Sequence, residues 1–362
     1  MAHATEASVR DALVERLFQD ALGTFELAAV YLGERLGLYR ALAAGPCSSR
    51  ELASAAGVAE RYAREWLEQQ AAVGILEVED AGAAPSERRF RLPAPHAEVL
   101  AAPGSLFDMT PMARLVVGCL RPLDALLRVY REGGGVPYAD YGEDVHAGQA
   151  AFTGPIFDAS LGTEWLPAVP EVHERLLDEP PARIADLACG HGHSSIAMAR
   201  AYPRVRVDGL DMDAASIARA RRVLEGSGVE GRVAFHQADA ADPGLRGSYD
   251  LVTVFEALHD MSRPVEVLRA AREMLVPGGS VIVGDERVAD EFDPPAGEVE
   301  RLYYGFSILH CLPVGMVGDD PAGTGTVMRA GTVRDYAARA GFSDLEVLPI
   351  ENEFYRFYRL YP

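Results

Sequence analysis

The sequence has little that would place it outside the ordinary globular enzymes. Its four cysteines, Cys47, Cys119, Cys189 and Cys311, form no CxxC pair, and 362 residues are far too many for a disulfide scaffold. They read as free thiols of a reducing compartment, and a cytoplasmic protein is expected. No apolar run approaches the roughly 20 residues of a membrane helix, and Met1–Ala12 lacks the apolar stretch of a signal peptide. Basic residues are scarce: 34 Lys and Arg against 54 Asp and Glu, a formal charge of −20. Such a chain is poorly suited to gripping nucleic-acid phosphates over a broad surface. Repeats and long low-complexity segments are also missing.

What is present divides into two kinds of pattern. The first hundred residues are mostly helical in period: Leu13, Leu17, Leu22, Leu27, Val30, Leu36 and Leu42 recur at helical spacing over Val9–Ala44. Ser48 or Ser49 can cap a short helix that Gly57 ends, and a second helix, Ala59–Val73, stops at Gly74. Ile75–Glu79 and Arg88–Leu92 then flank a turn, which completes a winged-helix pattern. The would-be recognition helix alternates Glu60, Arg61, Arg64, Glu65 and Glu68 and presents no basic face, so dimerisation or lid formation is favoured over DNA binding. Residues 103–132 are again helical in pattern, and the Gly133–Gly142 stretch, with Tyr138 and Tyr141, is a linker or a loop over the site.

From Arg183 the pattern becomes strand, turn, helix, repeated. Strands are expected at Arg183–Ala188, Arg206–Asp211, Val233–Gln237, Tyr249–Phe255, Ser280–Asp285, Leu345–Ile350 and Phe354–Leu360, the last two as an antiparallel hairpin. That alternation predicts an α/β fold, a doubly wound, mostly parallel seven-stranded sheet. Three regions follow: a winged-helix dimerisation domain over 1–102, a helical connector and substrate lid over 103–178, and a ligand-binding domain over 179–362.

The chemistry collects at the strand ends. Asp186-Leu187-Ala188-Cys189-Gly190-His191-Gly192-His193 leaves the first strand, and Ser194-Ser195 opens a helix. Glycines there let the backbone turn and a ligand approach, and the helix start offers free N–H groups. The rings of His191 and His193 are expected in solvent. Asp211 ends the second strand, where a carboxylate can accept from both ribose hydroxyls; Asp213 suits helix capping better. Dinucleotide enzymes share these features. Gln237-Ala238-Asp239-Ala240, then Phe255-Glu256-Ala257-Leu258-His259-Asp260, then Leu275-Val276-Pro277-Gly278-Gly279-Ser280, narrow the choice.

In this order and spacing, these residues resemble the class I S-adenosylmethionine-dependent methyltransferases. With the winged-helix front end they are similar to the small-molecule O-methyltransferases of plant and actinobacterial natural-product pathways. The resemblance implies S-adenosyl-L-methionine as cofactor, held by Asp186, Ala188, Gly190 and Gly192 (methionine part), Asp211 and Met212 (ribose), Asp239 and Ala240 (adenine), with Phe255 and Glu256 beside it. The family's first glycine is Ala188 here, tolerable if its φ is negative. The resemblance also implies His259 as general base, with Asp260 and Asp285 in the catalytic set; the family's second orienting acid would fall near Val327, where there is none. His310 and Arg329 are expected at the substrate. A homodimer through the N-terminal domain is implied, with no nucleic-acid or membrane partner. The alternative is a metal-dependent C-methyltransferase of α-keto acids, with His259, Asp260 and His310 as ligands. A non-methylating cofactor binder and a winged-helix regulator are further alternatives.

Overall fold

The computed structural model describes residues 6–241, 244 and 246–362. The chain divides into two compact units, Met1–Val117 and Gly118–Pro362. That boundary lies inside the stretch read from sequence as a connector, and its later helices belong to the second unit.

In the first unit a helix of 30 residues, Glu6–Arg35, ends before Gly37, whose φ of 68° breaks the helical run expected through Ala44. Three helices follow, Leu38–Leu42, Ser49–Ala56 and Glu60–Ala72. Ser48 caps the second with a capping box: its hydroxyl accepts from the Glu51 amide while the Glu51 carboxylate accepts from the Ser48 amide. A two-stranded antiparallel wing, β1 (Glu77–Val78) and β2 (Phe90–Arg91), completes the pattern. The core holds Leu52, Leu67, Leu76, Phe90 and the edge-to-face pair Tyr39–Trp66 at 5.1 Å. On the helix Glu60–Ala72, Arg61 pairs with Glu65 and Arg64 with Glu60, so both arginines are answered by acids.

The second unit opens with helices Leu123–Glu132, Glu143–Ser160 and Pro170–Leu177 and then builds one sheet. Its strands are β3 (Arg183–Leu187), β4 (Arg206–Asp211), β5 (Val233–Gln237), β6 (Tyr249–Phe255), β7 (Leu275–Glu286), β8 (Asp344–Val347) and β9 (Tyr355–Tyr361), in the order β5-β4-β3-β6-β7-β9-β8. The first five are parallel; β9 enters antiparallel between β7 and β8. β6 and the second half of β7 are buried almost throughout, as strands covered on both faces must be. One face packs under Phe157, Trp165, Ile196 and Ile217, the other under Val265, Leu268, Val333 and Ala337. The strand order reverses between β3 and β6, so a crevice opens at their carboxyl ends, where such sheets bind ligands. Among the described residues, no helix is long and apolar enough to cross a membrane.

Candidate functional site

The turn after β3 is braced from beneath. Asp186 is 1% exposed, and Ser194 and Ser195 each donate to its Oδ2 at 2.6 Å while Thr253 donates to Oδ1 at 2.8 Å. Ser195, which stands where a dinucleotide fold wants a small third residue, is thus part of the brace. Burial raises the Asp186 carboxyl above its ordinary range, against the three hydroxyl bonds. Gly192 carries φ of 80°, and a Cβ there would lie 2.3 Å from the Phe235 ring, so no side chain fits. Gly190 faces open space.

Two expectations about this turn are corrected. Ala188 has φ of 54°, the left-handed region, so the negative φ that would make its methyl tolerable is not adopted. The strain is of the order of 1 kcal/mol. Ala188→Gly is therefore expected to stabilise the protein by about 0.5–1 kcal/mol after glycine's extra unfolded-state entropy is counted. A thermal scan should show a rise of about 2 °C, and a fall would remove the strain argument. His191 is also not solvated. It is 8% exposed, and burial first, then the neighbouring His193, Arg219 and His146, push its pKa down to about 4. His193 is lowered as well, by burial first, with its ring against Gly154.

Asp211 ends β4 beside this turn. Its Oδ2 accepts from the Gly190 amide at 2.9 Å and its Oδ1 from the Asp213 amide at 2.8 Å, while Asp213 caps the next helix through Ser216. At the end of β5, Asp239 is exposed, accepts from the Ala241 amide at 2.9 Å and pairs with Arg263. Ala240 is half-buried near it, and the Met212 side chain is 74% exposed. Phe255 and Glu256 are placed differently from expectation, because their side chains are spent elsewhere. Phe255 packs on Phe157 at 5.7 Å and Trp165 at 6.3 Å. Glu256, in a left-handed turn with φ of 51°, accepts from Gln149 at 2.6 Å among the same aromatics. Burial pushes its carboxyl up to about 7, against hydrogen bonds from Tyr355 and Gln149.

Beyond β6, the single turn Leu258–Asp260 buries His259 at 3% exposure. Its Nδ1 lies 2.8 Å from Asp285 Oδ1 and 2.9 Å from Glu286 Oε2, at the end of β7. Two carboxylates on one nitrogen fix the tautomer with the proton on Nδ1, which leaves Nε2 as the basic atom. Burial alone would keep this ring neutral; Glu286, then Asp285, outweigh it and raise the pKa well above 6.5. Asp285 is held below the ordinary carboxylate range despite its burial, by the His259 charge and by hydrogen bonds from His259 and Glu286. Glu286 is pushed well up by burial, against the pull of His259, and so keeps a proton. The second acid therefore comes from Glu286, not from the vicinity of Val327. Its only signal in the sequence is the tandem Asp285-Glu286.

Asp260 is half-buried on the same turn, with its pKa raised to about 6 by burial against the His259 charge. Among the described residues, the one group of three metal-ligating side chains whose donor atoms lie within 4.8 Å of one another is His259, Asp285 and Glu286. His259, Asp260 and His310 do not converge in that way. Arg329 is committed internally: it donates to the carbonyls of Ala289 and Glu291, to Glu300 at 3.0 Å and to Tyr304 at 3.3 Å. These partners leave it bracing the 289–300 segment rather than facing a substrate.

With this geometry in hand, the relatives are informative. Residues 178–320 match a family described as a methyltransferase domain, and residues 26–102 match the Rv2258c-like winged HTH domain. Over 104 residues, 28% of this chain, the sequence is 36% identical to 27-O-demethylrifamycin SV methyltransferase of Amycolatopsis mediterranei. The chain spans well under two thirds of the length of the first curated relatives it matches, 38% in that case and 45% for trans-aconitate 2-methyltransferase of Methylobacterium nodulans. Among solved structures, mitomycin 7-O-methyltransferase aligns over 98% of this chain and 99% of its own, with a TM-score of 0.72 and 20% identity, a likeness of fold. Winged front end, seven-stranded sheet and matched domains agree: the chain belongs to the S-adenosylmethionine-dependent methyltransferases that carry a winged helix-turn-helix domain ahead of the methyltransferase domain.

Proposed function

We propose that this protein transfers the methyl group of S-adenosylmethionine to a hydroxyl oxygen of a small molecule, with His259 as general base. The observation that carries this reading is the buried His259–Asp285 pair, 2.8 Å apart, at the strand ends that also bear the glycine turn and Asp211. The residues present suit the cofactor: Gly190 faces open space, Gly192 tolerates no side chain, and Asp211 stands at the end of β4. When bound, S-adenosylmethionine supplies a methyl group on a sulfonium, an electrophile that needs no further activation. The protein's task is to orient the acceptor and take its proton. Nε2 of His259 receives that proton as the oxygen becomes nucleophilic, and Asp285 stabilises the imidazolium that results. Glu286, already protonated, donates to Asp285 and holds it in place. Asp260, on the same turn, shapes the backbone that presents His259.

The test is His259→Ala. Turnover is expected to fall by about 10²–10⁴-fold while S-adenosylhomocysteine binds as before, read by steady-state kinetics and calorimetry. A variant with full activity sinks the base assignment.

We further propose a homodimer formed through the N-terminal unit. On the helix Glu6–Arg35, Val14, Phe18 and Phe25 are 63%, 58% and 73% exposed, with Leu13, Leu17 and Leu22 beside them. A contiguous apolar stripe of this kind marks an association surface. The double variant Phe18→Glu/Phe25→Glu is expected to run as a monomer in light scattering coupled to gel filtration. A wild-type protein that is itself monomeric at micromolar concentration contradicts the proposal.

A further inference from the structure

The helical run from Glu298 to Gly315 contains one π-turn, Ser307–Cys311. Such turns are rare and recur at functional sites. This one buries His310 at 8% exposure. The ring is flanked edge-on by Tyr141 at 4.5 Å and Tyr138 at 5.9 Å. Both tyrosines are pinned: Tyr141 donates to the Leu309 carbonyl at 2.8 Å, and Tyr138 stacks on His146 at 4.1 Å. The Val136 amide donates to the Pro313 carbonyl at 2.9 Å and fastens the rest of the strap.

One nitrogen of His310 is accounted for. Nδ1 lies 3.4 Å from Cys311 Sγ, while Nε2 is buried with no partner. Burial first, then the nearby charges of His259 and His146, push the ring's pKa down to about 3, so it stays neutral at any working pH. With Nδ1–H aimed at sulfur, Nε2 presents a bare lone pair, and a buried acceptor left unpaired is costly. The same thiol hydrogen-bonds His259, which places the two imidazoles on either side of one sulfur atom.

We infer that His310 reads a hydroxyl adjacent to the one being methylated, so that the acceptor is an aromatic ring bearing two neighbouring hydroxyls. His259 takes the proton of one oxygen; the other donates to His310 Nε2, with the ring lodged against the tyrosine edges. This rests on the methyl-transfer reading of His259 and adds a substrate class to it.

Calorimetry with the S-adenosylhomocysteine-loaded protein tests it, with catechol and phenol as probes. Wild type is expected to bind catechol about tenfold or more tighter than phenol. His310→Phe should abolish that difference at unchanged S-adenosylhomocysteine affinity, and His310→Gln, whose amide oxygen can accept, should restore part of it. In protein with ¹⁵N-labelled histidine, the unprotonated Nε2 resonance of His310 should move when catechol is added. Equal binding of the two probes, binding of neither, or a preference retained in His310→Phe overturns the inference. Failure of the base reading looks different: His259→Ala stays active whether or not catechol is preferred.

Discussion

Asp285→Asn is expected to lower kcat by about 10²–10⁴-fold and to leave S-adenosylhomocysteine affinity within about twofold. Asp285 is the charged partner of the Nδ1 proton, and an amide there can turn either its oxygen or its NH2 toward His259. The second arrangement forces the wrong tautomer, and neither stabilises the imidazolium. The pH profile gives an independent sign. His259 has a raised pKa, and a base works only in its neutral form. Wild-type activity is therefore present at high pH and lost as pH falls through a value above 6.5. Without the Asp285 charge that limb should move to lower pH. Glu286→Gln is the counterpart: Glu286 already holds a proton, so the amide mimics it and kcat should stay within a few-fold. If Glu286→Gln proves as damaging as Asp285→Asn, the assignment of the proton to Glu286 is wrong. Rate profiles of the two variants between pH 6 and 10 decide it.

The second large effect belongs to the cofactor. Asp211→Ala is expected to weaken S-adenosylhomocysteine binding by about 10²–10³-fold in calorimetry. Two charge-assisted hydrogen bonds to ribose hydroxyls contribute about 1.5–3 kcal/mol each. The substitution also frees the Gly190 amide, which Asp211 holds at 2.9 Å, so the glycine turn loosens at the same time. The nearby acid is the control. Asp213 caps a helix, and Asp213→Ala should cost about 1 kcal/mol of stability with little change in affinity. Unchanged binding in Asp211→Ala would move the ribose contact elsewhere.

The parallel strands were legible because each is a short apolar run bounded by glycine or proline, and β4, β5 and β6 match the expected bounds residue for residue. β7 begins earlier than expected, at Leu275, because Pro277-Gly278-Gly279 is absorbed as an irregularity in the strand instead of ending it. His259 and Asp285 were legible through the order of motifs. Glu286 was not: alternation along a strand sends adjacent side chains to opposite faces, and only at the strand's last residue does that rule lapse. Phe255 and Glu256 misled for a related reason, since position after a strand says nothing about where a left-handed turn aims its side chain. His191 misled because glycine-rich turns suggest solvent, whereas this one is packed under the helix Glu143–Ser160.

The chain has two tryptophans, and the fold gives one to each unit. Trp66 packs on Tyr39 in the winged-helix core, with its indole N–H on the Ala29 carbonyl at 2.9 Å. Trp165 is lodged against Phe357 at 4.7 Å and Tyr355 at 5.7 Å, on the strand that must slot between β7 and β8. Each indole is therefore a private optical reporter. With Trp66→Phe, the remaining emission follows insertion of the strand that flanks the Asp285-Glu286 pair; with Trp165→Phe, it follows the winged helix alone. Whether the two units melt together or apart can be read from one cuvette, without any added label.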